Sequence, residues 1–422
     1  MTKLTKFGII IQEGDKMKEK KKTKNKANPF IWAFYTFCSK VFLWFKHHIK
    51  YNRKVFKKRN KKQGCLVIYN HASNKDHFFS TASFNYTRVN YVITKHFYFN
   101  KTLRKVLTLV HAIPRDQFKS DLLSIKNIKK AVETKSVVAI APAGQITVHG
   151  EMPYIDPAIV KLVKLCKVDV YALRIYGGYL AYPKWHKVKR NFPIKSEFVK
   201  VLNKEDIEEL NDNEIYQKII NSINVCDRVL QKEHPHKIKG KALIEGLEKI
   251  IYYCPKCKSY HTLKSSGNIM TCQNCGNSIR MNKYGFLEPG TNDSIIFENE
   301  SLWYNYEKEL IKRQIIDGNF KIEATFKLKR NIKEEYLLEE VGEGTLVLTK
   351  DSFYYDGTIN NEVVHKEFAL NSLIQLPFDV GTRIDIPDSE GTFEFRSLHD
   401  DATVIQYVQA IDVMRELRLS KE

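Results

Sequence analysis

The sequence predicts an α/β core over residues 63–245, a four-cysteine ribbon over 246–285 and a β-rich unit over 286–422, preceded by a basic tail (1–27) and an amphipathic helical region (28–62). Three observations carry this division. Short, mainly apolar runs at 65–69 (CLVIY), 91–94 (YVIT), 137–141 (VVAIA) and 170–176 (VYALRIY) alternate with helical periodicity such as 125–132 and 158–165. Strands buried on both faces beneath crossover helices give this pattern. Two C-x-x-C pairs then fall at 254–257 and 272–275. Beyond residue 286 the apolar period drops to two, as at Ile384/Ile386 and Phe393/Phe395, with the turn dipeptides Asp356-Gly357 and Glu390-Gly391 between segments. A helix presenting Val404, Tyr407, Val408, Ile411, Met414 and Leu417 on one face closes the chain.

The N-terminal region accounts for most of the net charge of +21. Residues 1–62 hold 19 Lys and Arg against 3 Asp and Glu, a surplus of sixteen that leaves five for the other 360 residues. A nucleic-acid groove should scatter its cations over the folded body, so this distribution disfavours one. Residues 16–26, KMKEKKKTKNK, read as a solvated flexible tail. The next stretch, 29–49, packs Phe30, Trp32, Phe34, Phe37, Phe42, Trp44 and Phe45 into one helix ending in Lys46-His-His-Ile-Lys50. It is too short and too charged at its end for a comfortable span. Aromatic rings flanked by cations suit a helix lying at headgroup depth on anionic lipid. A helix capping an ordinary core is the alternative. No cleavable leader is evident, which places the protein on the cytoplasmic face of a membrane, peripheral or monotopic.

Helices are expected over 204–210 and 214–233, after which the cysteines arrive. Cys254, Cys257, Cys272 and Cys275, with fourteen residues between the pairs, have the spacing of two knuckles that close a tetrahedron of thiolates around a structural zinc. Four sulfur ligands leave no position for a reacting water, so the expected zinc is structural and no catalytic metal is called for. Such an ion supplies folding energy to a segment too short for its own core. Cys38, Cys65, Cys166 and Cys226 stand singly in apolar surroundings, in keeping with a reducing compartment.

The chemistry-bearing stretch is 69–76, YNHASNKD. It follows the strand 65–69 and precedes an apolar pattern at Phe78, Phe79, Ala82 and Phe84, so it is a strand-to-helix loop with Ser73 or Asn74 as the expected N-cap. Active-site groups of α/β folds collect at such strand ends. A turn here can bring Asp76 against the ring of His71, fixing its tautomer and supporting the imidazolium formed when it takes a proton. No serine or cysteine nucleophile is evident, and a His-Asp pair alone suits activation of an external hydroxyl. An aspartate favouring a helix N-terminus would look the same.

Asn70, His71, Ser73 and Asp76 together match N-H-x-S-x-x-D, the first block of the glycerolipid acyltransferases of the lysophosphatidic acid acyltransferase type, which the chain resembles over roughly residues 28–240. Ile93-Thr-Lys95-His-Phe97 is similar to the family's segment with a substrate-facing lysine. His111-Ala-Ile-Pro-Arg115-Asp-Gln117 stands where its second block falls, and Ala141-Pro142-Ala143-Gly144-Gln145 where its third, Phe-Pro-Glu-Gly-Thr-Arg, falls. Two departures stand out: Gln117 occupies the second-block arginine position, and Ala143 and Ile146 replace the glutamate and arginine of the third.

The resemblance implies an α/β acyltransferase domain over 63–245 in which His71 and Asp76 are catalytic. Asn70, Ser73, Lys95, Arg115, Pro142 and Gly144 would meet the substrate. The acyl donor would be acyl-CoA or acyl carrier protein, the acceptor a lysophospholipid such as 1-acylglycerol-3-phosphate, and the partner surface a phospholipid membrane. Backbone N–H groups around Gly144 are the expected oxyanion donors. The C-terminal unit resembles a pleckstrin-homology-like module in pattern alone. A catalytically idle lipid-binding or scaffolding protein, and a zinc-ribbon nucleic-acid binder, are the alternative readings.

Overall fold

The computed structural model describes residues 26–117, 121–188, 190–331, 338–388 and 391–420; the basic run before residue 26 lies outside these, as does Glu390 of the expected Glu390-Gly391 turn. Helix α1 (Pro29–His47) opens the fold. Asn28 caps it, accepting from the Phe30 and Ile31 amides at 3.0 and 3.4 Å, with Pro29 in the first turn. Its buried face is partly polar: Thr36, Ser39 and His47 go inward with Trp32 and Leu43, while Phe30, Phe34, Phe37, Trp44 and Phe45 point outward. The buried polar groups find partners, as burial requires. Thr36 donates to the Asn85 carbonyl (3.2 Å), and the His47 ring bonds the Phe192 carbonyl (2.9 Å) and the Tyr182 hydroxyl (2.8 Å). Among the described residues no helix is long and apolar enough to cross a membrane.

The core follows as β1 (Lys50–Asn52), α2 (Lys54–Lys57), β2 (Cys65–Tyr69), α3 (Asp76–Phe84), β3 (Val89–Thr94), a 3₁₀ turn over Lys95–Phe99, α4 (Lys101–Leu109), β4 (Ile113–Arg115), α5 (Leu122–Glu133), β5 (Val137–Ile140), α6 (Ala158–Cys166), β6 (Val170–Tyr176), α7 (Gly178–Ala181) and β7 (Lys195–Leu202). These strands form one sheet in the order β1-β7-β6-β2-β5-β3-β4. From β6 to β4 all neighbours are parallel, so the carboxyl ends of β2, β3, β4, β5 and β6 share one edge; β7 pairs antiparallel with β6, and β1 runs parallel to β7. Successive residues of β2 serve opposite layers. Cys65, Val67 and Tyr69 join α1 and α3 through Trp32, Leu43 and Phe79, whereas Leu66 and Ile68 join α5 and α6 through Ile128, Ile159 and Val163.

Three helices close the core: α8 (Lys204–Glu209), α9 (Asp212–Ile223) and α10 (Asp227–Glu233). The single helix expected over 214–233 is broken at 224–226. The break lets the buried Asp227 carboxylate reach back to the β6–α7 turn, where it accepts from the Gly177 and Tyr179 amides at 2.7 and 3.0 Å.

The ribbon is a four-stranded antiparallel sheet of β8 (Leu263–Ser266), β9 (Ile269–Cys272), β10 (Ser278–Met281) and β11 (Leu287–Pro289). The region after residue 286, expected to be β throughout before its closing helix, gives the last ribbon strand β11 and then the long helix α11 (Glu300–Ile316). Then come β12 (Lys321–Asn331), β13 (Leu338–Thr349), β14 (Phe353–Ile359), β15 (Glu362–Glu367), β16 (Phe378–Asp379), β17 (Arg383–Asp388), β18 (Gly391–Ser397) and α12 (Thr403–Leu419). Their antiparallel order, β15-β14-β13-β12-β18-β17-β16, is two meanders joined through β12 and β18. Phe326 and Phe353 pack against Tyr407 of α12, and Phe395 joins Phe326 to Tyr355. The apolar layer of α1 and α3 continues through Tyr252 and Trp303 into this sheet, so ribbon and C-terminal unit share a core with the α/β layer.

Candidate active site at the carboxyl end of β2

The segment 70–76 folds around one carboxylate. Asp76, buried, accepts from His71 Nδ1 at 2.7 Å, from the Ala72 and Ser73 amides at 2.8 and 3.1 Å, and from the Ser73 hydroxyl at 2.7 Å. A carboxylate only accepts, so Nδ1 carries the histidine proton and Nε2 is left with its lone pair. The His71 side chain is 26% exposed, open enough to meet a substrate at Nε2. Behind it Gly178 packs closely: an added Cβ would lie 3.1 Å from the Ala72 Cβ, which would have to shift slightly.

Asn70 and Ser73, expected at the substrate, are engaged inside the protein. The Asn70 amide pairs with the backbone of Ile175, donating to its carbonyl and accepting from its N–H, both at 2.8 Å, and so ties the end of β2 to β6. Ser73 braces Asp76 and accepts from the Lys75 amide at 3.2 Å. The expected N-cap is also corrected: α3 starts at Asp76, and Lys75 at the cap position offers no side-chain bond.

At the neighbouring strand ends Lys95, expected to meet the substrate, has partners of its own. Lys95 lies 2.6 Å from Asp116 and 3.4 Å from Asp121. Burial pulls its ammonium down, but the two carboxylates outweigh that and hold it above its ordinary value. Arg115 is half-buried, where burial lowers its guanidinium while the charges of Asp121 and Asp156 oppose the shift. Gln117 bonds the Gly144 carbonyl through Nε2 (2.7 Å) and meets Thr94 through Oε1 (3.2 Å). Pro142 stands half-buried on the turn that Gly144 closes with a positive φ of 66°. The Gly144 amide donates to the Ala141 carbonyl at 3.1 Å, so this N–H, expected to face an oxyanion, is engaged in its own turn. Ala143 is buried, and Gln145 donates to the Leu376 carbonyl of the C-terminal unit at 3.1 Å.

The cleft beside His71 is completed by residues that no motif marks, among them Thr147, Glu151, Met152, Tyr179 and Asp227. Their only sequence signal is position after the buried strand β5 or β6. Burial pushes the Asp227 carboxyl up to about 6.

The four cysteines converge as their spacing predicts. Their sulfurs all lie within 4.8 Å of one another, with Cys254–Cys275 and Cys257–Cys272 both at 3.7 Å. A tetrahedron of 2.3 Å zinc–sulfur bonds has edges of about 3.8 Å. The two knuckles repeat one turn: the Lys258 amide returns to the Cys254 carbonyl and the Gly276 amide to the Cys272 carbonyl, both at 2.9 Å, each with a left-handed residue after the second cysteine. The donor set and its size fit a structural zinc ion. His261 stays outside it, bonding Gln406 at 3.1 Å.

Residues 48–176 match the model of the Acyltransferase family. That range runs through β6 and contains His71, Asp76, Lys95, Arg115 and the 142–144 turn, so the segment that builds the site is similar to the Acyltransferase family, as its motif implied. No curated protein matches the chain. Among solved structures, the crystal structure of the 1-acyl-sn-glycerophosphate (LPA) acyltransferase PlsC from Thermotoga maritima is similar over 49% of this chain and 81% of that one, at 13% identity and a TM-score of 0.39.

Proposed function

We propose that the protein transfers a fatty acyl group from acyl-CoA or acyl carrier protein to the hydroxyl of a lysophospholipid such as 1-acylglycerol-3-phosphate, at the cytoplasmic surface of a membrane. The observation that carries this is the 2.7 Å bond from His71 Nδ1 to Asp76, which leaves Nε2 basic and open within an acyltransferase-family domain. His71 Nε2 removes the acceptor hydroxyl proton as the oxygen attacks the thioester carbonyl, while Asp76 orients the ring and stabilises the imidazolium. The tetrahedral intermediate collapses with loss of the thiolate, which takes the proton back from the imidazolium. Neither amino acid is consumed.

The five outward rings of α1 give the domain a means of resting on lipid. Lys40, Lys46 and the cations of 50–62 border the same region and suit anionic headgroups. Cys254, Cys257, Cys272 and Cys275 would hold a zinc ion that contributes to folding.

The test is acyl transfer by purified protein on vesicles containing anionic lipid, with labelled acyl-CoA and acyl carrier protein offered to a panel of lysolipids. His71→Ala should lower transfer by roughly 10²–10⁴-fold without changing the Tm. Equal transfer by the variant would remove the dyad from the mechanism, and no transfer by the parent protein would favour an idle lipid-binding role. Replacing Phe34 and Trp44 with serine should release the protein from vesicles, each ring contributing on the order of 1.5–3 kcal/mol when buried.

A further inference from the structure

One wall of the cleft is held by a helix from outside the acyltransferase domain, and the cysteine ribbon is anchored on that same helix. The Thr147 amide donates to the His71 carbonyl at 3.0 Å, and the Gly150 amide returns to Thr147 Oγ1 at 2.9 Å. The 147–150 turn is therefore bonded directly to the backbone of His71. Its continuation is gripped by α11. The Glu151 carboxylate accepts from the Ser301 hydroxyl and from Asn305 Nδ2, the latter at 3.2 Å to each oxygen. The His149 ring lies flat on Tyr304, centroids 4.3 Å apart and planes 8° from parallel. His149 foremost, with Ser301 and Asn305, holds the Glu151 carboxyl down to about 2, against burial, so it is an acceptor throughout the working pH range.

The same turns of α11 also attach to the ribbon. Glu307, buried, accepts from the amides of Tyr252 and Tyr253 at 2.8 Å each, and the Trp303 indole donates to the Tyr253 carbonyl at 3.0 Å. Tyr253 directly precedes Cys254, the first residue of the cysteine cluster. The first two turns of one helix are thus clamped both to the turn bonded to His71 and to the residues leading into the first knuckle.

We propose that Glu151 and Tyr304 are positioning residues for His71, and that the metal-filled ribbon steadies the helix through which they act. The proposal rests on the reading of His71 as the base. Bonds of this kind fix backbone, and a misplacement of about 1 Å at a reacting group can cost on the order of 10²-fold in rate. If the contacts only filled space, their loss would lower stability and leave the kinetic constants of the folded fraction unchanged.

The experiment uses the full chain loaded with zinc. Three variants report on the grip: the pair Ser301→Ala/Asn305→Ala, Tyr304→Leu, and the conservative Tyr304→Phe, which keeps the ring stacked on His149. The pair and Tyr304→Leu should each lower kcat by about tenfold with the acyl-donor KM within about twofold, and Tyr304→Phe should restore kcat. Amide hydrogen exchange over 147–152 should quicken by about tenfold in the same two variants, and also in parent protein stripped of zinc by a chelator, while β12–β18 stay protected. Unchanged exchange over 147–152 after zinc removal overturns the link to the ribbon. A kcat within about twofold of the parent in the Ser301/Asn305 pair, which removes only small groups, overturns the positioning role even if Tyr304→Leu fails to fold. A parent protein inactive on every lysolipid would sink the reading of His71, and the exchange measurement would still decide whether ribbon and turn are coupled.

Discussion

At the end of β2 the His71–Asp76 pair and most of its supports lie within residues 71–76, whereas at the ends of β3, β4 and β5 Lys95, Gln117 and Gln145 are tied to residues distant in the chain. Asp76 takes four hydrogen bonds from His71, Ala72 and Ser73. Lys95 is held by Asp116 and Asp121, and Gln117 ties Thr94 to the Gly144 turn. Proton transfer needs one pair at one distance, and a single turn supplies it. Holding an acceptor needs several strand ends placed together, and here those ends are also bonded to one another and to the C-terminal unit through Gln145. The second half of the cleft is thus a braced turn beside a paired lysine.

The largest expected effect probes the first half. Asp76→Asn should lower kcat by on the order of 10³–10⁴-fold, because the amide no longer enforces the Nδ1–H tautomer of His71; steady-state kinetics at fixed pH measures it. A loss below tenfold would erase the contrast between the halves. Next is Gln117→Ala, which frees the Gly144 carbonyl and should raise the acceptor KM by about tenfold for hydrogen bonds of roughly 1 kcal/mol apiece, with kcat nearly unchanged. If kcat falls instead, the turn serves the reaction rather than the acceptor.

A third measurement concerns the support under both halves. Asp227, raised to about 6, stays protonated in the fold where the unfolded chain has already ionised. The folded protein then binds more protons, so this contribution to stability is full below about pH 4 and is lost as pH rises through about 6, a change of up to about 3 kcal/mol. The pH dependence of denaturant unfolding should be flatter across that window in Asp227→Asn than in the parent, and parallel curves would refute the assignment. The smallest effect is expected for Lys95→Met. Its ammonium is partly exposed and paired, and such pairs contribute about 0–1 kcal/mol, so acceptor KM should change by less than about fivefold. A larger rise would restore Lys95 as a phosphate ligand.

Much of the fold was legible in the sequence where periodicity was strong: the core strands at 65–69, 137–140 and 170–176, and helix α12, lie where their patterns place them. Helix α11 was not, because ENESLWYNYEKELIKRQII mixes its apolar residues with charges that are buried here against other elements. Glu307 meets the Tyr252 and Tyr253 amides, and Glu300 meets Tyr179 and Arg228. A helix that buries carboxylates has little amphipathic signature to read. The break between α9 and α10 was hidden for a related reason, since its cause is a bond from Asp227 to a turn about fifty residues earlier.

By itself the sequence determined the His71–Asp76 pair and the four-cysteine cluster, since each knuckle or turn closes over a few residues and spacing sets its geometry. Only the tertiary structure decided which face of α1 goes inward, where a buried Thr36 and His47 outrank exposed phenylalanines once Asn85, Phe192 and Tyr182 are there to bond them. It also decided that Lys95 is paired, that Asn70 is a tie between strands, and that α11 joins the ribbon to the turn behind His71. Those outcomes depend on partners distant in the chain, and the free energy of burying a polar group has a sign only once its partner is in place.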